Sequence, residues 1–373
     1  MKEPVWDICV DTQLPLPYTS PMKKRVLVKY LIQHGEMRDI MQRFALTAAI
    51  LLTLAACSRL EPNGFPSRTS EVLTEAAATS VPTETPLPPK SSIPQPPFAI
   101  DTRPGSINRD VTYCTRNDVA LKMDIYFPKQ AENAAMPIAV YVHGGAWSSG
   151  DKGSGPGMLD MPELLARGYI VAAVNYRLAP QYKFPAQIED VKCAIRFLRA
   201  NASDLHIDPK RVGAWGSSAG GHLVALLGLT DASAGFDVGE YLDQSSGVQA
   251  VVDMFGPTDL MTWFRGAKRA IVQLSQRVFG TTSKDDPMLV RGSPVTYVSK
   301  GAPPFLILQG DKDRLVPPSQ SQELYDRLKA AGANVNLVMV KKAGHGFIPR
   351  GTINPSRADL TKMMADFFDE NLR

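Results

Sequence analysis

Gly216-Ser217-Ser218-Ala219-Gly220 holds a serine in a Gly-x-Ser-x-Gly frame, directly after the apolar run at 211–215 and directly before a helical stretch at 219–229. A serine on a sharp strand-to-helix turn has its hydroxyl held out of the chain, and the residues two away must lack bulk. Ser218 has Gly216 and Gly220 at those positions, whereas Ser217 would have Trp215 at one of them. Ser218 is therefore the expected nucleophile. The competing reading is a structural serine at a helix start. The strand–turn–helix context weighs against it, because backbone strain is seldom kept without use.

A serine hydroxyl attacks only if a base takes its proton. Of the five histidines, His222 and His345 follow Ser218. His222 lies four residues on in the same helical stretch and is expected to pack or cap. His345 stands between Gly344 and Gly346 after the last apolar run, where a loop can swing its ring over the serine, so it is the expected base. The imidazolium then needs an acid to orient and stabilise it. Asp311 and Asp313 both follow the run at 304–309; Asp311 suits binding of turn amides, and Asp313 is preferred as the acid. The developing oxyanion needs preorganised N–H donors. Gly144 and Gly145, after the run at 137–142, and Ala219, after the serine, are the expected oxyanion hole. His143 is expected to fix that loop by a hydrogen bond rather than to act as a base.

These residues need a scaffold that brings loop ends together. Apolar runs at 137–142, 169–174, 211–215, 248–255, 304–309 and 335–340 read as buried parallel strands, and 121–127 alternates as a half-buried strand does. Helical stretches at 188–198, 219–229, 320–331 and 355–372 lie between or after them. Strand and helix in alternation predict an α/β fold, one doubly wound, mostly parallel sheet with helices on both faces. Ligands in such sheets bind beyond the carboxyl ends of the strands, which is where the expected nucleophile, base, acid and oxyanion donors fall. Residues 257–302 are the one sizeable insertion, and Met261-Thr-Trp-Phe264 with 272–279 are expected to form a small lid. Tyr176-Arg177 with Glu189-Asp190 reads as a buried arginine–carboxylate brace, and Asp259 as the cap of the turn after Phe255.

The chain carries 41 Lys+Arg against 37 Asp+Glu over 373 residues. That slight excess, without a basic face, argues against nucleic-acid binding. No His-Glu-x-x-His, phosphate loop or Cys/His cluster occurs, so neither metal nor cofactor is expected. Four cysteines are too few for a disulfide framework; Cys114 and Cys193 could pair outside the cytoplasm, but the sequence does not place them side by side, and buried and free is the default expectation.

The front of the chain reads differently. The apolar run at 44–56 is shorter than the ~20 residues of a membrane-spanning helix and fits the core of a signal peptide. It ends in Leu54-Ala55-Ala56-Cys57, which resembles the lipobox of bacterial lipoproteins and implies acylation of Cys57. The stretch ahead of the run is long for a signal peptide. Met22, Met37 and Met41 are candidate starts, and Met22-Lys23-Lys24-Arg25 would supply the positive charge. Residues 58–98 hold nine Pro and eleven Ser/Thr, too little apolar area to offset the entropy of ordering. Residues 1–57 are thus expected to be a signal segment, 58–105 a disordered tether and 106–373 the catalytic domain. The protein would be exported and lipid-anchored to a bacterial membrane or cell surface, or secreted if not lipidated. Its membrane contact would come from acyl chains alone.

Taken together, His143-Gly-Gly-Ala-Trp147, Asn175-Tyr-Arg-Leu-Ala-Pro180, Gly216-Ser-Ser-Ala-Gly-Gly221, Gly310-Asp-Lys-Asp-Arg-Leu-Val-Pro317 and Gly344-His-Gly-Phe347 resemble the α/β-hydrolase superfamily. The nearest likeness is to its bacterial carboxylesterases of the hormone-sensitive-lipase and feruloyl/acetylxylan-esterase type. The resemblance covers about 106–373 and implies that Asp313, two residues before Leu-Val-Pro, is the triad acid. Two departures stand out. Relatives of hormone-sensitive lipase usually read Gly-Asp-Ser-Ala-Gly where Ser217 replaces the Asp here, and Ala146 stands at their third oxyanion-loop glycine. Both tilt the expectation toward short-chain acyl or aryl esters, small or carried on polysaccharide, such as acetyl and feruloyl groups. An arylformamidase-like or peptidase-like amidohydrolase on the same fold is the alternative. A non-catalytic binding module is disfavoured because both the serine and the histidine are present.

Overall fold

The apolar runs assemble into one sheet because each is hydrophobic on both faces and must be covered on both. The computed structural model describes residues 100–130, 134–265 and 269–373. The apolar run at 44–56, Cys57 and the proline-rich segment to residue 99 lie outside these residues. The strands are β1 (Ile107–Arg116), β2 (Val119–Tyr126), β3 (Met136–Val142), β4 (Ile170–Val174), β5 (Ile207–Ser217), β6 (Ala250–Met254), β7 (Phe305–Gly310), β8 (Val335–Ala343) and β9 (Pro349–Asn354). Their order across the sheet is β1-β2-β4-β3-β5-β6-β7-β8-β9. From β4 to β8 all neighbours run parallel, while β1, β2 and β9 join antiparallel at the two edges. Every residue of β3, β4, β6 and β7 is buried.

Alternate side chains of these strands enter two cores. On one face Ile138, Val140 and Val251 pack with α2 (Ala186–Ala200), α3 (Ala219–Leu229) and α7 (Pro318–Ala330). On the other, Tyr141, Trp215 and Val252 pack with α1 (Met161–Ala166) and α8 (Arg357–Leu372). Helix α3 is apolar nearly all round and almost wholly buried, as a helix wedged between sheet and neighbouring helices must be. Helix α8 begins with a capping box, in which the Ser356 and Asp359 side chains each take the other's backbone N–H, a device worth about 1 kcal/mol.

The expected doubly wound architecture is present, and the insertion between β6 and β7 folds into α4 (Leu260–Phe264), α5 (Arg269–Val278) and α6 (Pro287–Arg291). Asp259 caps α4, its carboxylate accepting the N–H groups of Met261 and Thr262 at 2.9 and 3.2 Å. The thiols require a correction. Cys114 on β1 and Cys193 on α2 form a disulfide, with Cα atoms 6.5 Å apart. The expectation of free cysteines failed because 79 residues separate the pair, and only the packing of α2 against the edge strand brings them together.

Candidate active site

Ser218 occupies the single residue between the end of β5 and the start of α3, with φ 57° and ψ −117°. That left-handed backbone costs a side-chain-bearing residue about 1–2 kcal/mol. Close packing holds it in place. The Ser218 N–H donates to Met254 O at 2.8 Å, and the Ser218 carbonyl accepts His222 N–H at 3.0 Å. Side chains at the flanking glycines would collide with backbone: a Cβ on Gly216 would meet Gly220 O, and one on Gly220 would meet Val142 O. The turn therefore tolerates only the small residues that its pattern carries.

The loop after β8 carries His345 to the serine. His345 Nε2 lies 2.9 Å from Ser218 Oγ, and Nδ1 lies 2.7 Å from Asp313 Oδ2. The tautomer with its proton on Nδ1 satisfies both contacts, donating to the carboxylate and accepting from the hydroxyl. Phe255 packs against the ring at 4.9 Å and 68°, limiting its rotation. Asp313 is fully buried at its side chain. Its Oδ1 accepts Leu315 and Val316 N–H at 2.8 and 3.0 Å, so the carboxylate is anchored on one oxygen and presents the other to the histidine. Asp311 instead accepts Lys342 N–H at 2.6 Å, the turn-amide role open to it.

Gly144 lies against the serine: a Cβ there would sit 3.4 Å from Ser218 Cβ. Among the described residues the N–H groups of Gly144, Gly145 and Ala219 have no hydrogen-bond partner. Gly145 has φ 114°, and its carbonyl accepts Ser148 and Ser149 N–H at 3.1 and 3.0 Å, which curls the loop back on itself. His143 is buried beside it, with Nδ1 2.7 Å from Gly144 O and its ring stacked on Tyr176 at 4.3 Å. Burial holds its pKa below the usual imidazole range, which favours the neutral ring.

His222 is fully buried and away from the serine hydroxyl. Nε2 meets Gly292 O at 2.7 Å, and Nδ1 accepts Trp147 Nε1–H at 3.2 Å. Burial pushes its pKa down to about 4, so it stays neutral and acts as packing. The brace is also present. Arg177 Nη2 lies 2.8 Å from Asp190 Oδ1, Arg177 N–H donates to Asp190 Oδ2 at 2.9 Å, and Glu189 approaches at 3.3 Å. It fixes the segment whose Ala179 N–H donates to Trp147 O at 2.9 Å, and thus supports the loop of Gly144 and Gly145 from behind.

Two supporting residues, Gln309 and Asp253, had no role assigned from sequence, and a third, Trp263, was expected only as part of the lid. Gln309 Nε2 spans Asp313 Oδ2 and Val316 O at 3.4 and 3.3 Å, while its Oε1 accepts Ser321 Oγ–H at 2.8 Å. A polar residue at the end of an otherwise apolar run was the available signal. Trp263 of the insertion donates Nε1–H to Leu315 O at 2.9 Å, tying the lid to the acid's loop. Asp253 on β6 is fully buried beneath the serine's turn, opposite Gly216 in register. A carboxylate inside an apolar run was the available signal here too.

Known proteins resemble this chain in sequence and in fold. A family model described as BD-FAE matches residues 123–328. Esterase LipC of Mycobacterium tuberculosis is 32% identical over 234 residues, which cover 62% of this chain and 58% of LipC. The chain thus spans little more than half the length of that relative. Among solved structures, a truncated carbohydrate esterase from gut microbiota superposes with a TM-score of 0.58 at 31% identity, covering 73% of this chain and 98% of that one. Propionate-bound esterase 2 of Thermogutta terrifontis gives 0.59 at 26% identity, covering 73% and 96%.

Proposed function

The chain belongs to the BD-FAE family of α/β-hydrolase esterases, and from that premise we propose that it is a serine carboxylesterase working through an acyl-enzyme. The observation that carries the reading is the unbroken series Asp313–His345–Ser218, with contacts of 2.7 and 2.9 Å. Ser218 Oγ attacks the acyl carbon while His345 Nε2 takes its proton, and Asp313 stabilises the imidazolium. The N–H groups of Gly144, Gly145 and Ala219 receive the oxyanion, each such donor worth about 10²–10³-fold in rate. Collapse of the tetrahedral intermediate breaks the ester C–O bond. His345 returns the proton to the departing alkoxide, leaving the acyl group on Ser218. Water, deprotonated by His345, then releases the acid and restores the serine.

The substrates we propose are short-chain acyl or aryl esters, including acetyl and feruloyl groups on polysaccharide. The likeness to a carbohydrate esterase supports the polymer reading. Initial rates on 4-nitrophenyl acetate, butyrate, octanoate and laurate, beside acetylated xylan and a feruloyl ester, test it. The rate is expected to fall from acetate to laurate, with acetate or ferulate released from polymer. Octanoate preference with nothing released from polymer would remove the polysaccharide reading. Ser218→Ala and Asp313→Asn are each expected to lower kcat by about 10⁴-fold or more, and full activity in Ser218→Ala would overturn the mechanism.

Export and acylation of Cys57 belong to the same proposal. The Cys114–Cys193 bond supports export, since disulfides persist in oxidising compartments and are rare in the reducing cytosol. Labelled palmitate should enter the wild-type chain and be absent from Cys57→Ser; equal labelling of both would exclude Cys57 as the acylated residue.

A further inference from the structure

The loop that carries Asp313 also carries Arg314, and the segment that carries His345 continues into Arg350. Both arginines are exposed. Arg350 Nε lies 3.4 Å from where a Cβ on Gly344 would stand, one residue from the histidine. Elsewhere Arg109, Arg167, Arg177, Arg196, Arg211 and Arg357 each grip a carboxylate. Among the described residues, neither Arg314 nor Arg350 has an ion-pair or hydrogen-bond partner. Lys312 adds a third cation on the acid's loop, paired among the described residues with Asp311 alone, at 3.6 Å. The same two segments carry apolar side chains that water already reaches: Leu315 is 47% exposed and Ile348 59%. The two loops flanking the serine thus each present a cation and an aliphatic surface.

We propose that this rim selects esters borne on an acidic polysaccharide, whose uronate units combine a carboxylate with an apolar sugar face. The inference rests on the esterase reading and names the substrate class of the same site. A guanidinium binds a carboxylate in a two-pronged geometry, and an unpaired positive rim also concentrates a polyanion at the mouth of the site. Screening by salt weakens both effects, since the Debye length falls to about 8 Å at physiological ionic strength. A neutral polymer gains only the aliphatic contacts.

Hydrolysis of acetylated polygalacturonate and of acetylated xylan by the full chain, at about 20 and about 200 mM NaCl, tests the proposal. At low salt kcat/KM on the anionic polymer is expected to exceed that on the neutral one by roughly tenfold, and the ratio to shrink as salt rises. Arg314→Gln/Arg350→Gln should lower that ratio at least about fivefold. A ratio near one, or a ratio indifferent to both salt and substitution, overturns the proposal. Should the double variant fail to fold, the salt dependence of the wild-type ratio decides. Retardation of Ser218→Ala in gels containing polygalacturonate or xylan reads binding without turnover. Selective retardation by polygalacturonate in an enzyme inactive on every ester would keep the rim and discard the esterase reading. Hydrolysis of 4-nitrophenyl acetate with no such retardation would do the reverse.

Discussion

Three buried carboxylates support the site, and their partners give each a different character. Asp313 accepts two backbone N–H groups besides the histidine. Asp190 faces a guanidinium. Asp253 has only the Gly256 N–H on Oδ1, at 2.9 Å, and among the described residues Oδ2 has no partner. Desolvation, only partly offset by that one hydrogen bond, pushes the Asp253 carboxyl from its ordinary 3.8 to about 7. Between these two values the folded chain holds a proton that the unfolded chain has released. Stability therefore falls as pH rises from about 4 to about 7 and is flat above, a change of about 4 kcal/mol for a shift of this size. Asp253→Asn keeps the acceptor for Gly256 and removes the titration. Urea midpoints at about pH 5 and about pH 8 should show wild type losing more stability than the variant over that interval. Identical losses would mean that Asp253 is charged at both pH values or at neither.

Elements that are hydrophobic on both faces were legible in the sequence, and elements at the margins were not. β3, β4, β6 and β7 are buried at every residue, so each appears as an uninterrupted apolar run whatever its neighbours. β9 is exposed along almost its whole length and contains Pro349 and Gly351, which erase both alternation and propensity. β1 carries charges and two breaks in register, so its period-two signal is lost. The site was legible for the same reason as the central strands. Ser218 and Asp313 each stand just beyond a buried run, and His345 just beyond the partly buried β8, where a parallel sheet gathers its loops. Choosing between Asp311 and Asp313 was harder, because a two-residue offset decides which carboxylate points at the ring. The three-dimensional turn resolves it by giving Lys342 N–H to Asp311. Residues that act by contact across the fold, such as Gln309 with Ser321 or Trp263 with Leu315, leave no local pattern to read.

At the scale of the whole molecule, the disulfide divides the labour between the two ends of the sheet. Cys114 and Cys193 enclose 79 residues of chain separation. That loop contains β2, β3, β4, the whole brace and the loop of Gly144 and Gly145, but neither Ser218 nor His345. The bond ties the antiparallel edge at β1 to α2, and α2 supplies Asp190 to Arg177. Loop-closure entropy for a loop of this length amounts to about 4.5 kcal/mol, a large share of the 5–15 kcal/mol typical of a folded domain. Cys114→Ser/Cys193→Ser is thus expected to lower the denaturant midpoint and to reduce Tm by about 10 °C or more, with β1 and the N-terminal half of α2 losing hydrogen-exchange protection first. Because the serine and histidine lie outside the closed loop, kcat on 4-nitrophenyl acetate at low temperature should change less than stability does. A variant with unchanged Tm would show that packing of α2 against the sheet is sufficient without the bond. The same comparison for wild type made in a reducing and in an oxidising compartment separates the two forms of one sequence. A lower Tm only in the reduced form ties full stability of the domain to life outside the cytosol.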